Sequence, residues 1–450
     1  MSQLKKILKR IILVSLFLLA SVGSILALNS QNLQPPATII PPSFFGMHVH
    51  HVVWQPPHVK QLTPWPRVPF SQLRLWVSAI AWPSLEPEPG KWNFQILDKY
   101  IDIAAKHNVE PLLTLGQSPP WASARPSDRS PYRPGWPAEP KNIEDWRNYV
   151  RTVATRYKGK IPYYEIWNEP NLKHYFSGTG KTMLNLSKEA YQILKEVDPN
   201  IKVVSPSMTT VEEGLVWLEE FLRDGGKNYI DVIGYHFYVP SEPPEKMLSE
   251  IMQVKKVMTK YGVEKIPLWN TEAGWLGKEP FKDEQKGAAY VARAYILNWL
   301  AGVERFYWYS WDSPFGLKLN MTTEDAKTLT PAGIAYGQIQ KWLVGAKMES
   351  CNSNWRKIWM CQLTRDNNYQ GYVIWYPEGK LDFQIPQEWG IKQVSNLAGD
   401  SYKLSGLKYR ILQTEIEAFD VWDGKVIRTE LEGFIRKTTK DYTPYLKYDY

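Results

Sequence analysis

Cysteine is almost absent from this 450-residue chain; only Cys351 and Cys361 occur. Thiol chemistry therefore has a single pair to draw on. A surplus of basic charge over the body of the chain is missing as well. The formal net charge is +8, but Lys5, Lys6, Lys9 and Arg10 supply four of those charges ahead of the apolar run 11–28, leaving +4 for the rest. Basic and acidic residues intermingle there, so the footprint of a nucleic-acid-binding protein is absent. Also lacking is a Gly-rich phosphate loop after any apolar strand candidate, which weighs against an open doubly wound nucleotide-binding sheet.

The positive N-terminus, the apolar run and the small residues Ser21, Gly23, Ser24 and Ala27 form an export signal. Residues 1–28 are expected to be either a cleaved signal peptide or an uncleaved membrane anchor. Either places the body of the protein outside the cytoplasm, secreted or membrane-anchored. In an exported chain the two cysteines are expected to form a disulfide that staples a hairpin. Aromatic residues are abundant, with 21 Trp and 26 Tyr. Their flat apolar faces match the C–H faces of pyranose rings, and they equally suit a large aromatic core.

The chain is long enough for a large domain and a smaller one. Residues 29–42 are polar and Pro-rich and read as a linker. Short apolar strands then alternate with amphipathic helical patterns. Eight strand candidates fall at 44–50, 72–77, 110–115, 163–167, 202–205, 231–238, 266–271 and 305–311. Helical patterns lie between them at 94–107, 143–157, 182–197, 215–224, 244–261 and 285–301. This alternation predicts an α/β (β/α)8 TIM barrel over 43–345. Past residue 345 the pattern becomes all-β, with strands expected at 357–363, 370–375, 381–385 and 412–421 between Asn, Gly and Pro turns. That predicts a smaller sandwich-like domain over 346–423. The tail 424–450 has no periodicity to assign.

In such a barrel, function sits at the C-terminal ends of the strands. Tyr164-Glu165-Ile166-Trp167-Asn168-Glu169-Pro170-Asn171 is an aromatic, apolar run that stops at proline, placing Glu169 on the rim. Trp269-Asn270-Thr271-Glu272-Ala273-Gly274-Trp275 repeats the design about a hundred positions later. Strands four and seven can hold the two carboxyl groups about 5 Å apart, the spacing of retaining glycoside cleavage. Glu165 is two residues from Trp167 and four from Glu169, on the same side of its strand but deeper, and reads as a paired structural carboxylate. Other rim candidates are His48, His50 and His51 on strand one, and Arg74 and Trp76 on strand two. Strand six adds His236 and Tyr238, and strand eight adds Trp308, Trp311 and Asp312.

Trp167-Asn168-Glu169-Pro170 and Thr271-Glu272 resemble the acid/base and nucleophile motifs of the clan of (β/α)8 retaining glycoside hydrolases. The longer run Glu165–Asn171 is similar to glycoside hydrolase family 39, which also carries a β-sandwich beside its barrel. Family 5 cellulase-like enzymes share the Asn-Glu-Pro motif. The resemblance implies that Glu169 is the general acid/base, Glu272 the nucleophile and Asn168 a partner of the sugar 2-hydroxyl. Glu169 should have a raised pKa, while Glu272 should face donors among Arg74, His236 and Tyr238. Either His236 or Tyr238 serves as the orienting partner. His48, His50, Trp308 and Trp311 are further expected substrate contacts, and two or three of Trp82, Trp121, Trp275, Trp308 and Trp311 are expected to stack on sugar. Asn185-Leu186-Ser187 and Asn320-Met321-Thr322 match the short glycosylation sequon.

His48-Val49-His50 also resembles the opening motif of metal-dependent amidohydrolases. Those enzymes bridge their metals from strand four, where no lysine stands here. Strand five ends in Ser205-Pro206-Ser207, so only His236 and Asp312 fit that pattern. The expected chemistry therefore uses no metal and no cofactor, and its partner is a carbohydrate. A non-catalytic carbohydrate-binding barrel is the alternative, and the presence of two rim glutamates favours the hydrolase. Neither the sugar, the endo or exo mode, nor the oligomeric state is written in these motifs.

Overall fold

The computed structural model describes residues 33–421, except 58, 60, 211, 278, 280, 313–316, 367, 379–380, 404–407 and 412–415. The N-terminal segment 1–28 expected to direct export, the first residues of the expected linker and the tail 424–450 lie outside the described residues. Among those described, no helix is long and apolar enough to cross a membrane.

Nine parallel strands form one sheet: β1 (Phe45–Met47), β2 (Gln72–Leu75), β3 (Glu110–Leu115), β4 (Tyr163–Ile166), β5 (Lys202–Val204), β6 (Met208–Thr209), β7 (Ile233–His236), β8 (Leu268–Ala273) and β9 (Arg305–Trp308). The order is β5-β4-β3-β2-β1-β9-β8-β7-β6. Its two edges are halves of one strand, interrupted at Ser205-Pro206-Ser207, where proline has no N–H for a ladder. Parallel bridges Val204–Val232 and Asn168–Ser207 join the neighbours across this break. The sheet thus closes as a (β/α)8 barrel.

Seven long helices surround it: α1 (Gln95–Lys106), α2 (Ile143–Arg156), α3 (Gly180–Val197), α4 (Glu212–Arg223), α5 (Glu245–Lys260), α6 (Glu284–Leu300) and α7 (Pro331–Leu343). Most show one apolar face, but α6 is buried all round from Gly287 to Leu300, as befits a helix covered on every side. Inside the barrel, Leu112, Val204, Val232, Trp269 and Tyr307 form a plug. Arg305 closes the floor with its guanidinium 4.2 Å from the ring centroids of both Tyr163 and Trp269. Gly46 admits the Tyr307 ring, because a Cβ there would lie 2.6 Å from Tyr307 Cδ1.

The C-terminal region is antiparallel: β10 (Lys347–Ser353), β11 (Trp359–Arg365), β12 (Tyr369–Trp375), β13 (Leu381–Gln384), β14 (Gln393–Ser395), β15 (Ser401–Lys403), β16 (Lys408–Ile411) and β17 (Ile416–Val421). Six of these strands form one sheet in the order β10-β11-β12-β17-β14-β15, and β13 pairs with β16. Side chains alternate along β12. Val373 and Trp375 join the barrel's core, while Tyr372 and Ile374 pack with Ile385 and Val394. Cys351 and Cys361 are register partners across β10 and β11 and are joined by a disulfide. Within the segment expected as a linker, Ile39 bridges Lys347 and Ile40 is fully buried. Four expected strands end two or more residues early, at Met47, Leu75, His236 and Trp308, and the residues beyond them leave the ladder as loops around the barrel mouth.

Candidate active site

Arg74, pointing inward from β2, is the hub. Its Nε donates to Glu165 Oε2 at 2.8 Å, Nη1 to Glu272 Oε2 at 2.6 Å and Nη2 to Asn168 Oδ1 at 2.8 Å. A rigid guanidinium fork is the side chain suited to hold three acceptors at fixed angles. Glu165 also accepts from Thr114 Oγ1 at 2.6 Å and from Ser207 Oγ, whose oxygen lies 2.8 Å from Thr271 Oγ1. Strands β2, β3, β4 and β8 and the break in strand five are thus tied beneath the two rim acids. Glu165 is a paired structural carboxylate, fully buried. Gly234 on β7 makes room for this layer, since a Cβ there would approach Ser207 Oγ to 2.2 Å.

The rim acids sit in unlike surroundings. Glu272 Oε1 accepts from Tyr238 at 2.7 Å and Oε2 from Arg74 at 2.6 Å. Glu169 faces the buried ring of His236, with Oε1 2.8 Å from Nδ1. Burial raises the Glu169 pKa to about 7 against the opposing pull of Arg74. Burial also lowers His236 to about 4, so this imidazole is neutral at neutral pH. One oxygen or nitrogen each from Glu169, His236 and Glu272 lie within 4.8 Å of one another. Among the described residues this is the group whose spacing could hold a metal ion. The Arg74 guanidinium already supplies positive charge to Glu272 there. The backbone is bent to present the acid: Trp167 and Glu169 have φ of 67° and 46°, and Glu169 N donates to Ser207 O at 2.9 Å.

On the β1 side, His48 Nε2–H donates to Thr271 O at 3.0 Å and His50 Nδ1–H to Asp312 O at 2.7 Å. Burial and the nearby Arg74 charge keep His48 well below the ordinary histidine pKa. Its Nδ1 and His50 Nε2 are buried without a protein partner. Asp312 Oδ2 accepts from His51 N at 3.0 Å, and Trp311 N donates to His48 O at 2.9 Å, so strands one and eight are tied at the mouth.

Arg74, Asn168, Glu169, His236, Tyr238 and Glu272 are therefore one connected cluster, with His48 against it through Thr271. Trp308 lies elsewhere. It follows Tyr307, which faces the interior, so alternation turns it outward onto Tyr295 of α6 and Trp275. Trp275 and Trp82 are also packing residues. Trp275 Nε1 donates to Glu242 O, and Trp82 stacks on Tyr149 at 4.8 Å. Trp121, half-buried, packs edge-on against Trp82. Trp311 is buried at the mouth.

Two loop tyrosines, absent from the rim candidates read in the sequence, lie close to Glu272. Tyr132 packs on Trp76, Trp136 and Tyr175, with ring centroids 6.0–6.2 Å apart. Tyr175 belongs to the loop after Glu169, and its carbonyl accepts from Trp167 Nε1 at 2.9 Å. No periodic pattern marks either residue.

Residues 84–299 match the family model of Glycosyl hydrolases family 39. That segment is what the chain shares with family 39. A Beta-xylosidase of Geobacillus stearothermophilus is 24% identical over 230 residues, 45% of this chain and 45% of that protein. A Beta-xylosidase of Caldicellulosiruptor saccharolyticus is 26% identical over 231 residues, 46% of each. The chain thus spans just under half the length of these relatives. The fold of a family 39 glycoside hydrolase from Bacteroides cellulosilyticus superimposes with a TM-score of 0.64 at 18% identity, covering 78% of this chain and 75% of that one. The matched family 39 segment contains both rim acids, Glu169 and Glu272. It leaves out Arg74, which reaches Glu272 from outside its borders.

Proposed function

We propose that the protein is a retaining β-glycoside hydrolase of oligo- or polysaccharides, exported through its N-terminal segment. β-Xylosides are the first substrates to try, given what its relatives are named for. The reading rests on one observation: two carboxylates within 4.8 Å of each other, one buried beside a neutral histidine and the other held by Arg74 and Tyr238. That spacing suits direct attack rather than a water between acid and sugar.

In the first step Glu272 attacks the anomeric carbon as the C–O bond to the leaving sugar breaks. Glu169 gives its proton to the departing oxygen. With His236 Nδ1–H donated to Oε1, that proton resides on Glu169 Oε2. In the second step Glu169, now a carboxylate, takes a proton from the water that cleaves the glycosyl ester. Asn168 has its oxygen committed to Arg74, so its N–H donors remain for a sugar hydroxyl.

The deciding test is NMR of the first product released from an aryl β-xyloside, extended to glucosides and mannosides. Retention at the anomeric carbon is expected. An inverted first product would sink the mechanism, and no turnover across the panel would sink the hydrolase reading.

A further inference from the structure

Trp76 is two residues past Arg74, and both lie on one side of the β2 chain. Arg74 reaches Glu165 and Glu272 from below, so Trp76 stands one layer above, at the mouth. Tyr132 meets Trp76 edge-on at 80° and reaches across to Tyr175, whose ring lies 4.4 Å from that of His174. The resulting aromatic wall runs from strand two to the loop after strand four. It flanks Glu169, the acid that must protonate the leaving oxygen.

The wall is braced from behind. Arg125 Nε donates to Asp128 Oδ2 at 2.8 Å, Nη1 to Glu139 Oε1 at 2.8 Å, and Nη2 to Glu139 Oε2 at 2.5 Å and to Ser177 Oγ at 2.9 Å. One guanidinium thereby locks the loop that carries Tyr132 to the loop that carries Tyr175. Charge agrees with position: burial first, then the nearby carboxylates Glu169 and Glu272, raise the Tyr175 hydroxyl pKa.

We infer that Tyr132 and Tyr175 form the seat of the leaving-group sugar, held in place by Arg125. The inference rests on the hydrolase reading above. In an in-line displacement the leaving group departs opposite Glu272, on the side of Glu169, where this wall stands. A ring face of tyrosine offers the apolar surface that a pyranose C–H face fits, and the two hydroxyls offer hydrogen bonds at its edge. The ligand class is therefore a second sugar ring attached through the scissile bond, rather than a small leaving group.

The test uses the full chain and compares a β-glycosyl fluoride with the matching disaccharide of the sugar that wild type hydrolyses. Tyr132→Ala and Tyr175→Ala should lower kcat/KM on the disaccharide about tenfold, mostly through KM. The fall on the fluoride, which has no leaving ring, should be several-fold smaller. Tyr132→Phe and Tyr175→Phe, which keep the ring, should recover most of the disaccharide rate, and so exclude a folding defect. Equal losses on both substrates in a wild-type-active background would overturn the seat and leave the hydrolase reading standing. Failure of wild type on every fluoride and disaccharide would remove that reading, and the seat with it.

Discussion

At the scale of single residues, one buried arginine and one buried acid set the behaviour of the site. Glu169 must be protonated to act first, and burial holds its pKa near 7. The kcat/KM profile should therefore fall as pH rises through about 7, and a plateau extending to pH 9 would contradict that role. The same shift has a stability sign. The folded state retains the Glu169 proton up to about pH 7, whereas the unfolded chain loses it near the ordinary glutamate value of 4.5. Its stabilising contribution is complete below pH 4.5 and is lost as pH climbs towards 7. Denaturant melts should show wild type losing up to about 3 kcal/mol relative to Glu169→Gln across that window. Arg74 is the opposite case, a charge whose removal strands others. Arg74→Met would leave Glu165 buried without its ion-pair partner, at a cost of about 3–5 kcal/mol. Adding Glu165→Gln should recover part of the loss, and a double mutant no more stable than the single one would show that the pair is not coupled.

At the scale of elements, strand identity was legible and strand ends were not. The runs at 44–50, 231–238 and 305–311 carry strand-like residues throughout, yet pairing stops at Met47, His236 and Trp308. The residues beyond them, among them His50, Tyr238 and Trp311, line the mouth, where the backbone serves the site and not the ladder. Glu169 and Glu272 were readable because their motifs are short and local. Tyr132 was not, because it arrives from a Pro- and Arg-rich loop whose fold depends on Arg125 finding Glu139 and Ser177. Trp308 misled because a rim position says nothing about which face of the strand a side chain takes. Strand β8 depends on its small exit residue. A Cβ on Gly274 would lie 1.9 Å from Tyr309 O, so strands seven and eight would separate just above Glu272. Gly274→Ala should lower Tm by several degrees and depress activity beyond what the stability loss explains, measured at a temperature where the variant is folded. A variant of wild-type stability and rate would mean that the two backbones part without consequence.

At the scale of the whole molecule, the C-terminal sheet behaves as part of the barrel's core. Met348, Cys351, Trp359, Cys361, Leu363, Val373 and Trp375 belong to the same buried cluster as the barrel helices. Trp359 and Trp375 stack at 5.1 Å, and Trp375 Nε1 donates to Glu245 Oε1 at 2.8 Å. Glu245, at the start of α5, also pairs with the buried Arg293 of α6, so one carboxylate pins two barrel helices and the sheet together. Arg365 Nη2 donates to the carbonyls of Lys341, Trp342 and Val344, covering the end of α7. Removing the sheet would expose a continuous apolar face and leave those carbonyls without that donor. The full chain is therefore expected to melt in one calorimetric transition, and a chain ending at residue 345 to aggregate or melt well below it. Glu245→Ala, which strands Arg293, should lower the single transition without splitting it. Two resolved transitions in the wild type, or a truncated barrel as stable as the full chain, would show that the sheet is an appendage. In that case the packing of Trp375 on Glu245 would be a consequence of proximity and would contribute little to folding.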